Sequence, residues 1–160
     1  MKYIFYIILF ASAGLNAQTD SLKTDTQNTN IVEISKILGL AESHMGTPYR
    51  YGGCEPGGFD CSGFVKYCFE NSIDISVPHI SGEIANMGVP VSRAETRPGD
   101  IVAFAGRSVN GHVGHVGIVY EVTNDAVYFI HSSTSHGVRI DRVKSNYWER
   151  RFLGIRRILE

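Results

Sequence analysis

The chain lacks an excess of either charge. Fifteen lysines and arginines stand against 16 aspartates and glutamates, a formal net charge of −1, so no basic field draws it onto nucleic acid or an anionic membrane surface. Long apolar runs are also missing: the N-terminal one, Tyr3 to Phe10, is far short of the ~20 residues of a spanning helix. No internal repeat is visible. Cysteines number only three, and an odd set cannot all pair within one chain. At least one thiol is therefore left free or bridges to another molecule. Neither a C-x-x-C nor an H-E-x-x-H spacing occurs. A zinc site built from His112, His115, His131, His136 and the cysteines has the right ligand types without the spacing, and no metal or cofactor is expected. What is present, 43% apolar and 11% aromatic residues in 160, suits one globular domain with its own core.

The start of the chain has a positive residue, Lys2, then the short apolar run, then small residues up to Leu15-Asn16-Ala17. This pattern predicts a signal peptide over residues 1–17, cut after Ala17. Polar Gln18, Thr19 and Asp20 follow at once, and no cysteine near the cut could carry a lipid. The expectation is a periplasmic or secreted protein without a membrane anchor after cleavage. Residues 18–30, QTDSLKTDTQNTN, show no apolar period and are expected to form a flexible spacer. The folded domain is then 31–160.

Ile31, Ile34, Ile37, Leu38 and Ala41 recur at helical spacing, and Gly46-Thr47-Pro48 should end that helix. After a glycine-rich loop, SGFVKYCFENS places Phe64, Val65, Cys68 and Phe69 on one face of a second helix that begins at or just before Cys61. Further on the period changes to short β-branched and aromatic runs: DIVAFAG, HVGIVYEV, AVYFIHSS, GVRIDRV and FLGIRRI. The fold class is α+β, with N-terminal helices packed on an antiparallel meander of about five strands.

Cys61 stands at a loop-to-helix junction, between Asp60 and Ser62. Taken alone it is a nucleophile, a disulfide partner of Cys54, or a small core residue. A thiol attacks as thiolate, and the unpaired N–H groups of a helix N-terminus favour the anion. The same groups suit an oxyanion formed beside the sulfur. Six histidines are candidate bases: His44, His79, His112, His115, His131 and His136. A hairpin symmetric about Thr123 sets His115 directly opposite His131, on one face and ~5 Å apart at Cβ, as a base and its orienter require. HVG occurs twice in GHVGHVGIV, so His112 competes with His115; the latter opens the apolar strand, whereas His112 sits in a glycine-bounded loop. Cys68, two helical turns beyond Cys61, is expected in the core.

GTPYRYGG, GFDCSGFV, RPGDIVAF, HVGIV, FIHSS and YWERRFLGIRR together resemble, in order and spacing, the NlpC/P60 family of cell-wall cysteine peptidases. The resemblance runs from about Ile34 to the C-terminus. It implies a papain-like fold and a Cys-His-His triad that cuts peptidoglycan stem peptides or muropeptides, at the γ-D-glutamyl to diamino acid bond, through a thioester. Carried onto this chain, the nucleophile is Cys61, the base His115 and the third residue His131. Tyr49 matches the tyrosine that assists the oxyanion or orients the thiol. Asp60 and Ser62 match positions that hold a substrate amino group in some members, and both are also ordinary helix-capping residues. His79, after Pro78, departs from the arginine that many members carry. A monomer is expected. Two alternatives stay open: another amidase or acyl-transfer activity of the same triad, and a silent wall-binding module.

Overall fold

The computed structural model describes residues 14–106 and 111–159, with side chains from residue 27 onward. Most of the expected signal segment, residues 1–13, lies outside the described residues. Helix α1 (Gly14–Ser43) takes in the stretch expected to be a spacer. No proline or glycine interrupts residues 15–38, so a helix nucleated where it docks propagates upstream at one hydrogen bond per residue. Among the described side chains of α1, Ile31 is 62% exposed, while Ile37 and Ala41 are fully buried and Ile34 lies against Gly99.

Helix α2 (Cys61–Ile73) buries Phe64, Val65, Cys68 and Phe69, the face predicted from spacing. Each large apolar side chain hidden there contributes roughly 1.5–3 kcal/mol. Asp74, left-handed at φ 56°, ends the helix. A short helix α3 (Ser81–Ile84) follows.

All five expected strands form: β4 (Ile101–Ala105), β5 (Val113–Val122), β6 (Val127–Ser133), β7 (Gly137–Arg142) and β8 (Phe152–Arg157). A minimal hairpin of β1 (Cys54–Glu55) and β2 (Gly58–Phe59) precedes α2, and an edge strand, β3 (Val89–Val91), makes the main sheet six-stranded. The order is β3-β8-β4-β5-β6-β7. Only β4 to β7 form a meander, because β8 crosses back to pair with the far edge of β4. The fork of Arg157 on the buried Asp100 carboxyl, two bonds of 2.8 Å, fixes that return.

Strand alternation divides the side chains between two faces. Ile101, Ala103, Val116, Ile118, Ile130 and Val138 join the core with α1 and α2. Val102, Phe104, Val119, Phe129 and Ile155 form a second cluster on the other face, with Phe152 and with Trp148 of helix α4 (Asn146–Glu149).

Candidate active site

The β1–β2 hairpin and Asp60 set the entrance to α2. Asp60 caps the helix by accepting from the Gly63 amide at 2.7 Å and from the Ser62 hydroxyl at 2.9 Å. Its other oxygen accepts from the Gly52 amide at 3.0 Å, and His79 Nε2 lies 3.1 and 3.2 Å from the two oxygens. The loop is thus pinned to the helix start. Gly63 is required there, since a Cβ would sit 2.0 Å from the Gly53 carbonyl oxygen.

Cys61 follows, buried to 8% exposure, and shares a 3.4 Å hydrogen bond with the Ser81 hydroxyl. The Val116 amide also reaches the sulfur, which brings it next to the residue that follows His115. The expected low thiol pKa is not found. Burial pushes the Cys61 thiol up, more than the hydrogen bonds from Ser81, Val116 and Ser62 bring it down, and Asp60 adds to the rise. The resting group is a thiol.

His115 and His131 are brought together, though not in the expected register. The turn at 123–126 pairs Val122 with Val127, and a bulge at Tyr120 then sets Ile118 opposite Ile130. Continued inward, this pairing places Gly117, not His115, opposite His131. A Cβ on Gly117 would lie 3.0 Å from that of His131. The expectation missed the bulge and was off by two residues. Two is even, so the face is kept, and the imidazoles meet diagonally with His115 Nε2 2.8 Å from His131 Nδ1.

Sequence reasoning missed the next member, Asp141. His131 is fully buried, and its Nε2 is 3.0 Å from Asp141 Oδ2, which also accepts from the Trp148 indole at 3.1 Å. Arg139 holds Oδ1 at 2.7 Å. Burial raises the Asp141 pKa, but the bonds from His131 and Trp148 outweigh it and the net direction is down. An ionised carboxylate only accepts, so His131 donates through Nε2 and its Nδ1 accepts. His115 must then donate through Nε2, which leaves the Nδ1 lone pair bare. The chain Asp141–His131–His115 therefore presents a proton acceptor on the strand whose next residue, Val116, reaches the Cys61 sulfur. The signal for Asp141 was available: a turn symmetric about Ser135 sets His131 opposite Arg139, as observed, with Asp141 diagonal on the same face.

Trp148 stacks on His115 at 4.9 Å and meets His131 edge-on at 5.1 Å. Burial, then the neighbouring His131, hold the His115 pKa down at about 3, and burial lowers that of His131 too. Both rings are neutral near pH 7.

The remaining candidates separate clearly. Tyr49 bridges to Phe59, and its phenol pKa is raised by burial and then by the charges of Cys61 and Asp60. Ser62 donates its hydroxyl to Asp60, the residue that caps α2. His112 is exposed in its loop. His44 packs edge-on against Phe59 and Tyr67, and His136 takes the Ser135 hydroxyl at 2.7 Å. All three cysteines are free thiols; Cys54 pairs with Phe59 in the hairpin, and Cys68 is buried.

The model of the NlpC/P60 family matches residues 46–157. The chain belongs to the NlpC/P60 family. Among relatives, it is 37% identical over 159 residues to "Probable endopeptidase NlpC" of Escherichia coli K12, covering 96% of this chain and 99% of that one. It is 34% identical over 148 residues to "Murein DD-endopeptidase MepS/Murein LD-carboxypeptidase" of the same strain, covering 92% and 74%. A more distant match, 36% over 122 residues, is "Gamma-DL-glutamyl hydrolase" of Bacillus subtilis, covering 76% of this chain and 28% of that one. An NlpC/P60 family protein from Bacillus cereus superposes with a TM-score of 0.71 at 27% identity, over 79% of this chain. The chain spans 40% of that solved structure and 90% of the NlpC/P60 domain of the peptidoglycan hydrolase SagA, where the TM-score is 0.59, the identity 28% and the cover of this chain 69%.

Proposed function

We propose that this protein is a cysteine endopeptidase that hydrolyses an amide in peptidoglycan stem peptides. The supporting observation is the bond of the Val116 amide to the Cys61 sulfur, which sets the N-terminus of α2 against the strand that carries the His115–His131–Asp141 chain. Because the resting pair is neutral, His115 Nδ1 takes the thiol proton as the sulfur attacks the carbonyl carbon. The oxyanion forms beside the Cys61 amide, and the Tyr49 hydroxyl is assigned to assist it. The amide C–N bond then breaks, His115 returns the proton to the leaving amine, and a thioester remains. A water deprotonated by His115 attacks the thioester, releasing a carboxylic acid and restoring the thiol.

The bond proposed is that between γ-D-glutamate and the diamino acid, in line with the relative named a γ-glutamyl hydrolase. The longer match to a D,D-endopeptidase makes the cross-link between stem peptides the competing bond. Incubation with purified muropeptides and mass spectrometry of the fragments separates them: a loss at γ-glutamate supports the proposal, conversion of dimers to monomers the alternative, and no fragment refutes both. A wall substrate implies work outside the cytoplasm. Among the described residues no helix is long and apolar enough to span a membrane. Export with cleavage after Ala17 is part of the proposal, and N-terminal mass analysis of the mature protein checks it.

A further inference from the structure

Among the described residues the Ser81 hydroxyl has a single hydrogen-bond partner, the Cys61 sulfur, 3.4 Å away. No structural task claims it. Ser81 opens α3 behind the cap residue Ile80, and it serves that helix through its backbone carbonyl, which accepts from the Ala85 amide at 3.0 Å. The segment is pinned on both sides. Before it, His79 lies against the Asp60 carboxylate; after it, Ile84 and Ala85 enter the core, and Arg156 Nε donates to the Ala85 carbonyl at 2.8 Å. A cleft of about 600 Å³ opens beside His115 and Asp141, and neither Cys61 nor Ser81 lines it. The hydroxyl is thus held to the sulfur and to nothing else.

We propose that Ser81 is a catalytic residue: its hydroxyl accepts the resting Cys61 S–H and, once that proton has left, turns to donate to the thiolate. This rests on the amide hydrolysis proposed above. The other contacts of the sulfur are the Val116 and Ser62 amides, which can only donate, whereas a hydroxyl both donates and accepts. The thiol proton therefore rests on the Ser81 oxygen as its acceptor. During attack that proton goes to His115 Nδ1, the electron pair left on sulfur forms the S–C bond, and the Ser81 proton stays on its own oxygen. Only the hydroxyl rotates. A hydrogen bond to an ion is roughly twice as strong as one between neutral groups, so the exchange favours the thiolate over the thiol.

The test reads the sulfur directly. In a Cys54→Ser background, which removes the other partly exposed thiol, alkylation of Cys61 by iodoacetamide is followed by mass spectrometry between pH 7 and 9. Ser81→Ala should lower the rate about threefold to tenfold at each pH and leave the slope unchanged, because loss of a charge-assisted bond reduces the thiolate fraction. Ser81→Thr and Ser81→Val introduce side chains of one shape that differ by a hydroxyl. The threonine variant should stay within about twofold of wild type, and the valine variant should fall with alanine. On muropeptides the loss in Ser81→Ala should appear in kcat, with KM little changed. A Ser81→Ala rate equal to wild type, or a valine variant as reactive as the threonine one, overturns the proposal. So does a rise in KM with alkylation unaltered, which would make Ser81 a substrate contact instead. Alkylation needs no substrate: if no muropeptide is cut, the endopeptidase reading fails, and the alkylation rates still decide whether Ser81 acts on the sulfur.

Discussion

At the scale of single residues the chemistry depends on where protons rest. Cys61→Ala and His115→Ala should each abolish hydrolysis of muropeptides, with circular dichroism unchanged. Removal of a general base alone costs ~10² to 10⁴ in rate. Asp141→Asn replaces a pure acceptor by a group that can also donate, so the His131 and His115 tautomers are no longer enforced; kcat should fall by roughly 10² with KM little changed. A KM effect alone would mean that Asp141 only shapes the cleft. Burial holds the Cys61 thiol above its usual range, so little thiolate exists at neutral pH. Alkylation of Cys61 by iodoacetamide should rise about tenfold per pH unit between pH 7 and 9. A rate already at its plateau at pH 7 would show a resting thiolate–imidazolium pair.

Elements fix the distances that these residues need. The start of α2 is held against the β1–β2 hairpin with no room at Gly63, where a Cβ would meet the Gly53 oxygen at 2.0 Å and His79 Nε2 at 2.8 Å. Gly63→Ala should therefore push the hairpin off the helix, lowering stability by about 1–3 kcal/mol and activity with it. A chain that keeps its melting temperature after this change would show that the hairpin yields freely. Upstream, Gln27 and Asn28 of α1 are exposed, and among its described side chains full burial begins at Ile37. A chain beginning at Thr29 should thus retain its melting temperature and its activity on soluble fragments. A drop of several degrees would place the earlier turns of α1 against the domain.

The whole molecule feels His115 and His131 through its acid stability. His115 has a folded pKa of about 3, below the ~6.5 of an unfolded chain, and His131 is shifted in the same direction. Between these values the unfolded chain binds protons that the native protein refuses, so stability rises with pH. The contribution is complete above pH ~6.5 and is lost progressively as pH falls toward 3. The melting temperature should already decline from pH 7 to 5, where most carboxylates remain ionised, and His115→Gln should flatten that decline. A flat profile in the wild type would mean that these rings take up protons in the folded state.

Local pattern by itself determined much. The face of α2, its start at Cys61 and the five strands follow from apolar period and turn residues, which act over a few neighbours in the chain. The choice of Cys61, His115 and His131 rests on six linked motifs that resemble one family, and the spacing arithmetic that paired the two histidines succeeded only because a two-residue error preserves the face of a strand. Tertiary structure decided the rest. A bulge at Tyr120 and a four-residue turn set the true register; neither leaves a signature in alternation. Asp141, Ser81 and Trp148 reach the site from β7, α3 and α4, and contacts across such distances in sequence follow from packing rather than from local preference. The thiol pKa was misjudged for the same reason. A helix N-terminus is visible in a sequence, but the desolvation that outweighs it exists only once the sheet closes over the sulfur.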